Sequence, residues 1–110
     1  MASEQTYIER RRLELHSKLV EILGNKGKVY FQPPESIKIE YPAIIYERNA
    51  MPRIHASNNV YAFGVEYSVT VIDKDPDSPI VDKISRFPTA RFSRHFVSDN
   101  LNHDIFMIHY

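Results

Sequence analysis

The stretch VYAFGVEYSVTVI, residues 60–72, alternates between large apolar side chains and small or polar ones. In an extended chain one face would carry the large members, which are Tyr61, Phe63, Val65, Tyr67, Val69 and Val71. This period of two predicts one long β-strand. At roughly 3.3 Å per residue the strand would span about 43 Å, whereas a compact domain of this length is about 35 Å across. We therefore expect one end of the strand to project, or to lie against a second copy of the chain.

The segment before this strand supplies its natural partner. Residues from Ile37 to Glu47 are mostly extended in pattern, and Ile44, Ile45 and Tyr46 form a continuous apolar run. Pro42 suits an edge position or a bulge, because it cannot donate a backbone hydrogen bond. We predict an antiparallel hairpin whose two strands are joined through the polar residues Arg48 to Asn59.

Two helices are predicted on either side of the hairpin. Thr6 and Glu9 have the spacing of a capping box, which indicates a first helix from about Tyr7 to Leu23. Its apolar stripe comprises Ile8, Leu15, Leu19 and Ile22, with Leu23 beside it, Arg12 at the missing position, and glycines 24 and 27 at its end. A short second helix starts at Ser78 as N-cap, carries Ile80, Ile84 and Phe87 on one stripe, and is closed by Pro88.

Three further strands complete the pattern: Lys28 to Gln32, Ala90 to Val97 and Asp104 to Tyr110, with a polar turn at residues 98–103 between the last two. The order α-β-β-β-α-β-β predicts an α+β fold. In that fold a mostly antiparallel sheet with a long β-hairpin is packed by the N-terminal helix and the short second helix. The 110 residues are enough for one domain, residues 1–110, and for no second one.

Composition narrows the function classes. The 14 basic and 14 acidic residues cancel, so no global field would gather nucleic acid or anionic lipid, and we expect neither a specific nucleic-acid partner nor a membrane. The chain has no cysteine, which excludes disulfides, thiolate metal sites and cysteine nucleophiles. Its first residues are polar and resemble no secretory signal, so we expect a protein made and kept in the cytoplasm.

An acidic turn resembles the first half of a calcium loop. Asp73, Asp75 and Asp77 alternate as calcium ligands do. The match then fails, because a calcium loop needs glycine and glutamate where this chain has Ser78 and Ile84. We interpret the segment as a turn whose carboxylates cap the following helix, and we expect it to bind no metal.

A group of histidines and aspartates near the C-terminus is the second candidate metal site. It consists of His95, Asp99, His103, Asp104 and His109. Their spacing matches no common ligand pattern, and on alternating strands His95 and His109 can face different sides of the sheet. We expect surface or turn histidines rather than a metal centre.

No catalytic pattern stands out. The chain has no nucleophile elbow, and its three glycines form no phosphate-binding loop. The serines lack a convincing arrangement with histidine and aspartate. We expect a protein that is not an enzyme and that holds no cofactor.

Two basic segments could contact phosphate. One is the run from Arg10 to Arg12, and the other combines Arg91, Arg94 and His95 with the interleaved Phe92 and Phe96. The favoured interpretation is that the first run is the solvated face of a helix and that both phenylalanines are core residues of a strand. A small nucleic-acid-binding module remains the alternative.

Four stretches carry a resemblance to a known family: VYFQPP at 29–34, YPAIIY at 41–46, YSVTVIDKDPDS at 67–78 and RHFVSDNLNHD at 94–104. From Leu13 to Tyr110 the chain resembles the tail-terminator, or tail-completion, proteins of long-tailed bacteriophages. More distantly, its element order is similar to that of the lambda minor tail protein U family, which has a small α/β fold.

The resemblance implies a structural virion protein without a cofactor. Such proteins form a ring, typically of six subunits, that binds the end of the tail tube, stops its polymerisation and offers a surface to the head connector. The implied partners are other copies of the chain, the major tail tube protein and a head-completion or connector protein. The implied location is the head-proximal end of the virion tail, assembled in the host cytoplasm. A neighbouring connector role such as head closure stays open.

The hairpin is the predicted ring contact. Its two strands hold more large apolar side chains than one small core can readily cover, and two short helices shield only part of one sheet face. Aromatic residues are also common anchors of interfaces. The residues we assign to this contact are Ile44, Tyr46, Tyr61, Phe63 and Tyr67.

Overall fold

The structure is a computed structural model that describes residues 5–25, 27–51, 53–56 and 59–110, with the backbone alone described for residues 53–56 and 59–63. Two helices and seven strands are assigned within these ranges. In chain order they are α1 (Tyr7–Leu23), β1 (Lys28–Phe31), β2 (Ala43–Ala50), β3 (Arg53–Ala56), β4 (Asn59–Phe63), β5 (Glu66–Asp73), α2 (Pro79–Ser85), β6 (Arg91–Ser98) and β7 (Leu101–His109).

Five of the strands form the main sheet, in the order β1-β2-β5-β7-β6. Strand β1 runs parallel to β2, and every other neighbouring pair in this sheet is antiparallel. Strands β3 and β4 form a separate antiparallel pair that extends the hairpin of β2 and β5. The predicted α+β class, with a mostly antiparallel sheet, an N-terminal helix and a short second helix, is confirmed.

The prediction of one continuous strand over residues 60–72 is wrong. The stretch is divided into β4 and β5, with Gly64 and Val65 between them. Glycine has no side chain to pack in a sheet, so it favours an interruption at this point. The alternation itself is confirmed within β5, where Tyr67, Val69 and Val71 are buried. The radius of gyration, 15.3 Å, still exceeds the roughly 13 Å expected for a compact chain of this length.

The preceding strand also starts later than predicted. It begins at Ala43 rather than Ile37, directly after Pro42, which can donate no ladder hydrogen bond. It continues to Ala50, pairing with β5 from Ala43 opposite Ile72 to Ala50 opposite Glu66. The polar residues 48–59 are therefore not a plain connection, since they include the end of β2, all of β3 and the start of β4.

Helix α1 matches its predicted bounds. The Thr6 hydroxyl oxygen accepts a hydrogen bond from the Glu9 backbone N–H at 3.0 Å, which confirms that half of the capping box. The apolar stripe of the helix packs on one face of the sheet. The core formed there contains Leu15, Leu19, Leu23, Ile44, Tyr46, Val65, Tyr67, Val69, Val71, Ile80, Ile84, Phe106 and Ile108.

Helix α2 also follows its predicted pattern. The Ser78 hydroxyl oxygen accepts from the Ile80 N–H at 3.2 Å, and Pro79 occupies the first helical position. Ile80 and Ile84 are buried against the core that α1 covers. Both helices therefore pack on the same face of the sheet, and we call the opposite face the open face.

The connection between the last two strands is shorter than predicted. Only Asp99 and Asn100 separate β6 from β7, whereas the sequence favoured a polar turn over residues 98–103. Both residues have positive φ, 53° and 64°, a combination that a two-residue hairpin turn requires and that these side chains tolerate. The tight turn lets β7 begin three residues earlier than predicted.

Candidate association surface

Strand β6 lies at the edge of the main sheet. It pairs with β7 on one side, and in the described part of the chain no strand pairs with its other side. All eight of its residues are exposed. An edge of this kind presents backbone donors and acceptors to any extended segment that can reach it.

Apolar side chains on β6 point to both faces of the sheet. Phe92 pairs with Phe106 on the helix-covered side, and their rings meet edge to face at 5.5 Å. Val97 lies on the same side, while Phe96 is on the open face. Phe92 is 55% exposed, Val97 60% and Phe96 36%. Large apolar side chains on both faces are typical of a strand buried on both sides, whereas here they are exposed.

The expectation that Phe92 and Phe96 belong to the core is wrong. The main helix-to-strand contacts of α1 and α2 are with β1, β2 and β7, and every residue of β6 is exposed, so β6 lies largely beyond the shelter of both helices. Sequence alternation alone does not reveal this, because a strand's place in the sheet order depends on distant pairings. The large exposed side chains make this strand a candidate surface for association.

Three basic side chains accompany the exposed apolar ones. The Arg94 guanidinium lies over the Phe96 ring, 5.0 Å from its centroid. The His95 Nδ1 atom is 2.8 Å from an Asp104 carboxylate oxygen, and Arg91 lies 3.8 Å from Glu66. Charges on an edge strand disfavour uncontrolled pairing. Two of these three side chains already lie beside a carboxylate of their own chain, so negative charge on a partner of β6 would complement chiefly Arg94.

The open face continues this surface across the sheet. One row of residues that pair across the sheet, one on each strand, lies on this face. Its members on β1, β2, β5 and β7 are half-buried, and its member on β6 is an arginine. The row consists of Tyr30, Ile45, Thr70, Ile105 and Arg94. The side chains of this row are absent from the core that both helices cover. The open face is therefore a second, flatter area next to β6.

A polar cluster fixes one end of the open face. Glu66 accepts a hydrogen bond from the Asn49 amide at 2.6 Å, and its other oxygen lies 2.9 Å from His109 Nε2. Hydrogen bonding to His109 first, and then to Asn49, lowers the pKa of Glu66 below its ordinary value. With Arg91 3.8 Å from Glu66, the cluster brings together side chains of four strands.

The predicted interface residues on β2 and β5 lie in the core. Ile44, Tyr46 and Tyr67 are 0% exposed, so the expectation that they form an exposed patch is wrong. They occupy the face that both helices cover, and the helices shield it fully at these positions. The side chains of Tyr61 and Phe63 lie outside the described residues, and a ring contact through the hairpin stays a prediction.

A polar group lies at the edge of this core. The Tyr46 hydroxyl lies 2.7 Å from His16 Nδ1 and accepts from the Arg12 guanidinium at 3.4 Å. Burial raises the pKa of Tyr46, whereas burial and then the nearby Arg12 charge lower the pKa of His16. Neutral His16 can thus accept the hydroxyl proton of Tyr46 in a hydrogen bond.

The first basic run does not form a purely solvated helix face. The Arg12 guanidinium lies 4.2 Å from the Phe31 ring centroid, and Arg11 lies 4.0 Å from that of Tyr110. Both arginines are half-buried. The sequence does not predict this stacking on aromatic rings, because each arginine and its ring are far apart in the chain and meet only in the folded structure. Arg12 does run along apolar surface, as its position in the helix stripe predicted.

The candidate metal residues are placed apart. His95 pairs with Asp104 on the helix-covered side, and His109 pairs with Glu66 on the open face, so the two histidines face opposite sides as predicted. In the acidic turn, Asp73 and Asp75 accept backbone hydrogen bonds from residues 75 and 77. Within the described residues no three histidine or acidic side chains are grouped to hold a metal ion.

A cavity of about 580 Å³ lies between the end of α1 and the start of α2. Its lining mixes apolar and polar residues and comprises Ile22, Leu23, Asn25, Pro42, Asp73, Asp75, Pro79, Ile80 and Lys83. No histidine, serine or cysteine is among these lining residues. The lining residues therefore do not include the serine or cysteine nucleophile and histidine base of a nucleophilic site.

Comparison with protein-family models, curated proteins and solved structures finds no match to this chain. Neither described helix is long and apolar enough to cross a membrane. The site is therefore defined by its geometry: an exposed edge strand, apolar on both faces and basic along its length, continuous with the open face.

Proposed function

We propose that this chain is a structural subunit of a bacteriophage virion that assembles into a ring at the head-proximal end of the tail. The ring caps the tail tube, stops its polymerisation and provides the surface that joins the head. Its partners are other copies of the chain, the major tail tube protein and a head-completion or connector protein. In this role the chain catalyses no reaction and holds no cofactor.

One observation carries the proposal: β6 has an edge that no described strand pairs with, and it has exposed large apolar side chains on both faces. A monomer gains nothing from exposing Phe92, Phe96 and Val97, whereas an assembly buries them. The four stretches that resemble tail-terminator proteins support the same function, and the last of them, residues 94–104, includes most of the β6 to β7 hairpin.

A nucleic-acid-binding module is the second candidate. It is favoured by the exposure of Phe92 and Phe96 beside Arg91 and Arg94, since bases stack on exposed aromatic rings while arginines contact phosphate. The two candidates differ in their response to salt. Phosphate contacts weaken steeply as salt rises, whereas a largely apolar contact between subunits persists.

A matched pair of valine variants tests the proposed surface. Val97, on β6, and Val20, on α1, are both exposed valines, so Val97→Glu and Val20→Glu introduce the same charge at different sites. We expect Val97→Glu to stay folded, to lose assembly in light scattering, and to fail in tail completion. Val20→Glu should assemble as the unchanged protein does.

The outcome can contradict the proposal in two ways. If Val97→Glu assembles and completes tails normally, β6 is not the contact surface. If instead the unchanged protein binds single-stranded DNA tightly at physiological salt and never self-associates, the nucleic-acid module replaces the ring.

A further inference from the structure

A strand-patterned segment of this chain lies outside both sheets. Residues 37–41, Ile-Lys-Ile-Glu-Tyr, alternate between apolar and charged side chains, yet the structure assigns them to no strand. Ile37 is 43% exposed and Tyr41 is 42% exposed. Pro42 separates the segment from β2, so the pattern of a strand is present without a strand partner in the described chain.

The free edge that could receive this segment is on the far side of the sheet. Residues 37–41 lie beside β1, where the Glu40 N–H donates to the Tyr30 hydroxyl at 3.0 Å. Strand β6 is at the opposite end of the order β1-β2-β5-β7-β6. With about 4.8 Å between neighbouring strands, roughly 19 Å separate the two edges. The segment cannot reach β6 of its own chain, so only a second copy can bring them together.

We propose that residues 37–41 of one copy add as a strand to the free edge of β6 in a neighbouring copy. This inference rests on the proposed ring, for which it supplies the contact. Main-chain hydrogen bonds between the two extended segments give affinity, and alternate side chains give specificity. The apolar members of the segment cover exposed apolar side chains on one face of β6.

Charge favours this pairing over pairing of β6 with itself. Two antiparallel β6 strands would bring the arginines of both copies, Arg91 and Arg94, close to one another, which is unfavourable. The segment and its approach contain Glu35 and Glu40 against one lysine, Lys38. Glu40 also contacts Lys28 at 3.3 Å, but both side chains are exposed, and such surface pairs contribute little. Glu40 can therefore turn to an arginine of β6.

The pairing determines the symmetry of the assembly. One surface of each copy contacts a different surface of the next, which is a heterologous contact. Contacts of this type generate closed rings when the rotation closes, whereas self-pairing of β6 would stop at a dimer. The proposed contact is thus of the type that a ring requires.

Cysteine cross-linking tests the contact directly, because the chain has no cysteine of its own. Chains carrying Val97→Cys are mixed with chains carrying Ile37→Cys, Ile39→Cys or Tyr41→Cys and oxidised mildly. We expect covalent dimers in at least one mixture, and none when Val97→Cys is mixed with the α1 control Val20→Cys. Paired strands bring Cα atoms within the roughly 4.4–6.8 Å that a disulfide spans.

A proline variant provides a second measurement. Lys38→Pro removes a backbone donor from a segment that is not part of a strand in the single chain, so folding should be unchanged while assembly is lost. Circular dichroism checks the fold, and sedimentation velocity measures the assembly.

Each outcome decides the inference. Rings that form without any mixed cross-link, or that survive Lys38→Pro, overturn the strand contact and leave the proposed ring in place. Covalent dimers of Val97→Cys alone would show self-pairing of β6 and also overturn it. A chain that stays monomeric at every concentration contradicts both the contact and the ring.

Discussion

The ring of Phe96 stacks on the imidazole of His103 across the pair of β6 and β7, with centroids 4.5 Å apart and planes 12° from parallel. The two residues are directly opposite each other in register. Phe96 nevertheless remains 36% exposed, since no strand of the described chain pairs with the outer side of β6. This pair lies at the border between the sheet of the single chain and the edge that we propose for association.

Replacing Phe96 should therefore lower the free energy of unfolding less than replacing a core phenylalanine does. We expect Phe96→Ala to cost about 1 kcal/mol in the free energy of unfolding, because it removes one cross-strand aromatic pair. Phe106→Ala, on the neighbouring strand at 2% exposure, should cost about 3–5 kcal/mol by leaving a cavity. Urea denaturation measures both. Equal losses for the two variants would mean that Phe96 is a core residue.

Two buried tyrosines should respond in opposite ways to loss of their hydroxyls. Tyr46 hydrogen-bonds His16, whereas the buried Tyr67 hydroxyl has no partner among the described residues. Tyr46→Phe should cost about 1 kcal/mol or more, and Tyr67→Phe should be neutral or stabilising, because an unpaired buried hydroxyl is itself unfavourable. Thermal melts compare them. A clear loss of stability in Tyr67→Phe would reveal a hydrogen bond there.

Two glycines with similar φ give a matched test of a close backbone contact. A Cβ on Gly27 would overlap the Pro42 carbonyl oxygen, whereas a Cβ on Gly24 would meet nothing within 4 Å. Their φ values, 79° and 77°, both lie in the region that disfavours a side chain, so alanine at either position adds backbone strain. Gly27→Ala should cost clearly more than Gly24→Ala in chemical denaturation. Equal costs would contradict the packing of residue 27 against Pro42.

Stability should fall in two separate steps as the pH is lowered. The pKa of His16 is lowered in the folded chain, so its contribution is complete above about pH 6.5 and declines as the unfolded chain takes up the proton first. The pKa of Glu66 is also lowered, so its contribution is complete above about pH 4.5 and is lost as the pH falls through the folded value.

Two variants separate these steps in urea denaturation across the pH range. His16→Gln should flatten the decline just below pH 6.5, and Glu66→Gln should flatten only the decline below pH 4.5. Each variant is the control for the other. If the stability of the His16→Gln chain falls as steeply as that of the unchanged protein between pH 6.5 and 5, the lowered pKa of His16 is contradicted.

Local features of this fold could be predicted from sequence. The caps at Thr6 and Ser78 fix where both helices begin, since each supplies a hydroxyl to a free backbone amide. Alternation in β5 indicates which of its residues share a face. What alternation cannot indicate is which face the helices cover, and for that reason Tyr46 and Tyr67 were assigned to a surface although they are core residues.

The candidate site depends on longer-range features. The exposure of Phe92 and Phe96 follows from the edge position of β6, which depends on how all five strands are ordered. Nothing in the local sequence sets that order. One local signal does indicate part of it. Asp99 and Asn100 both favour the positive φ of a two-residue hairpin turn, and a turn of that length predicts that β6 and β7 extend right up to it.

The central claim is that the chain assembles through an exposed, largely apolar surface. Multi-angle light scattering of the purified protein, at low and at high salt, tests it most directly. We predict a species of several times the 12.9 kDa chain mass that persists as salt is raised. A ring of six subunits, as in the proteins that the chain resembles, would have six times that mass. A mass of 12.9 kDa at every concentration and salt would contradict the claim.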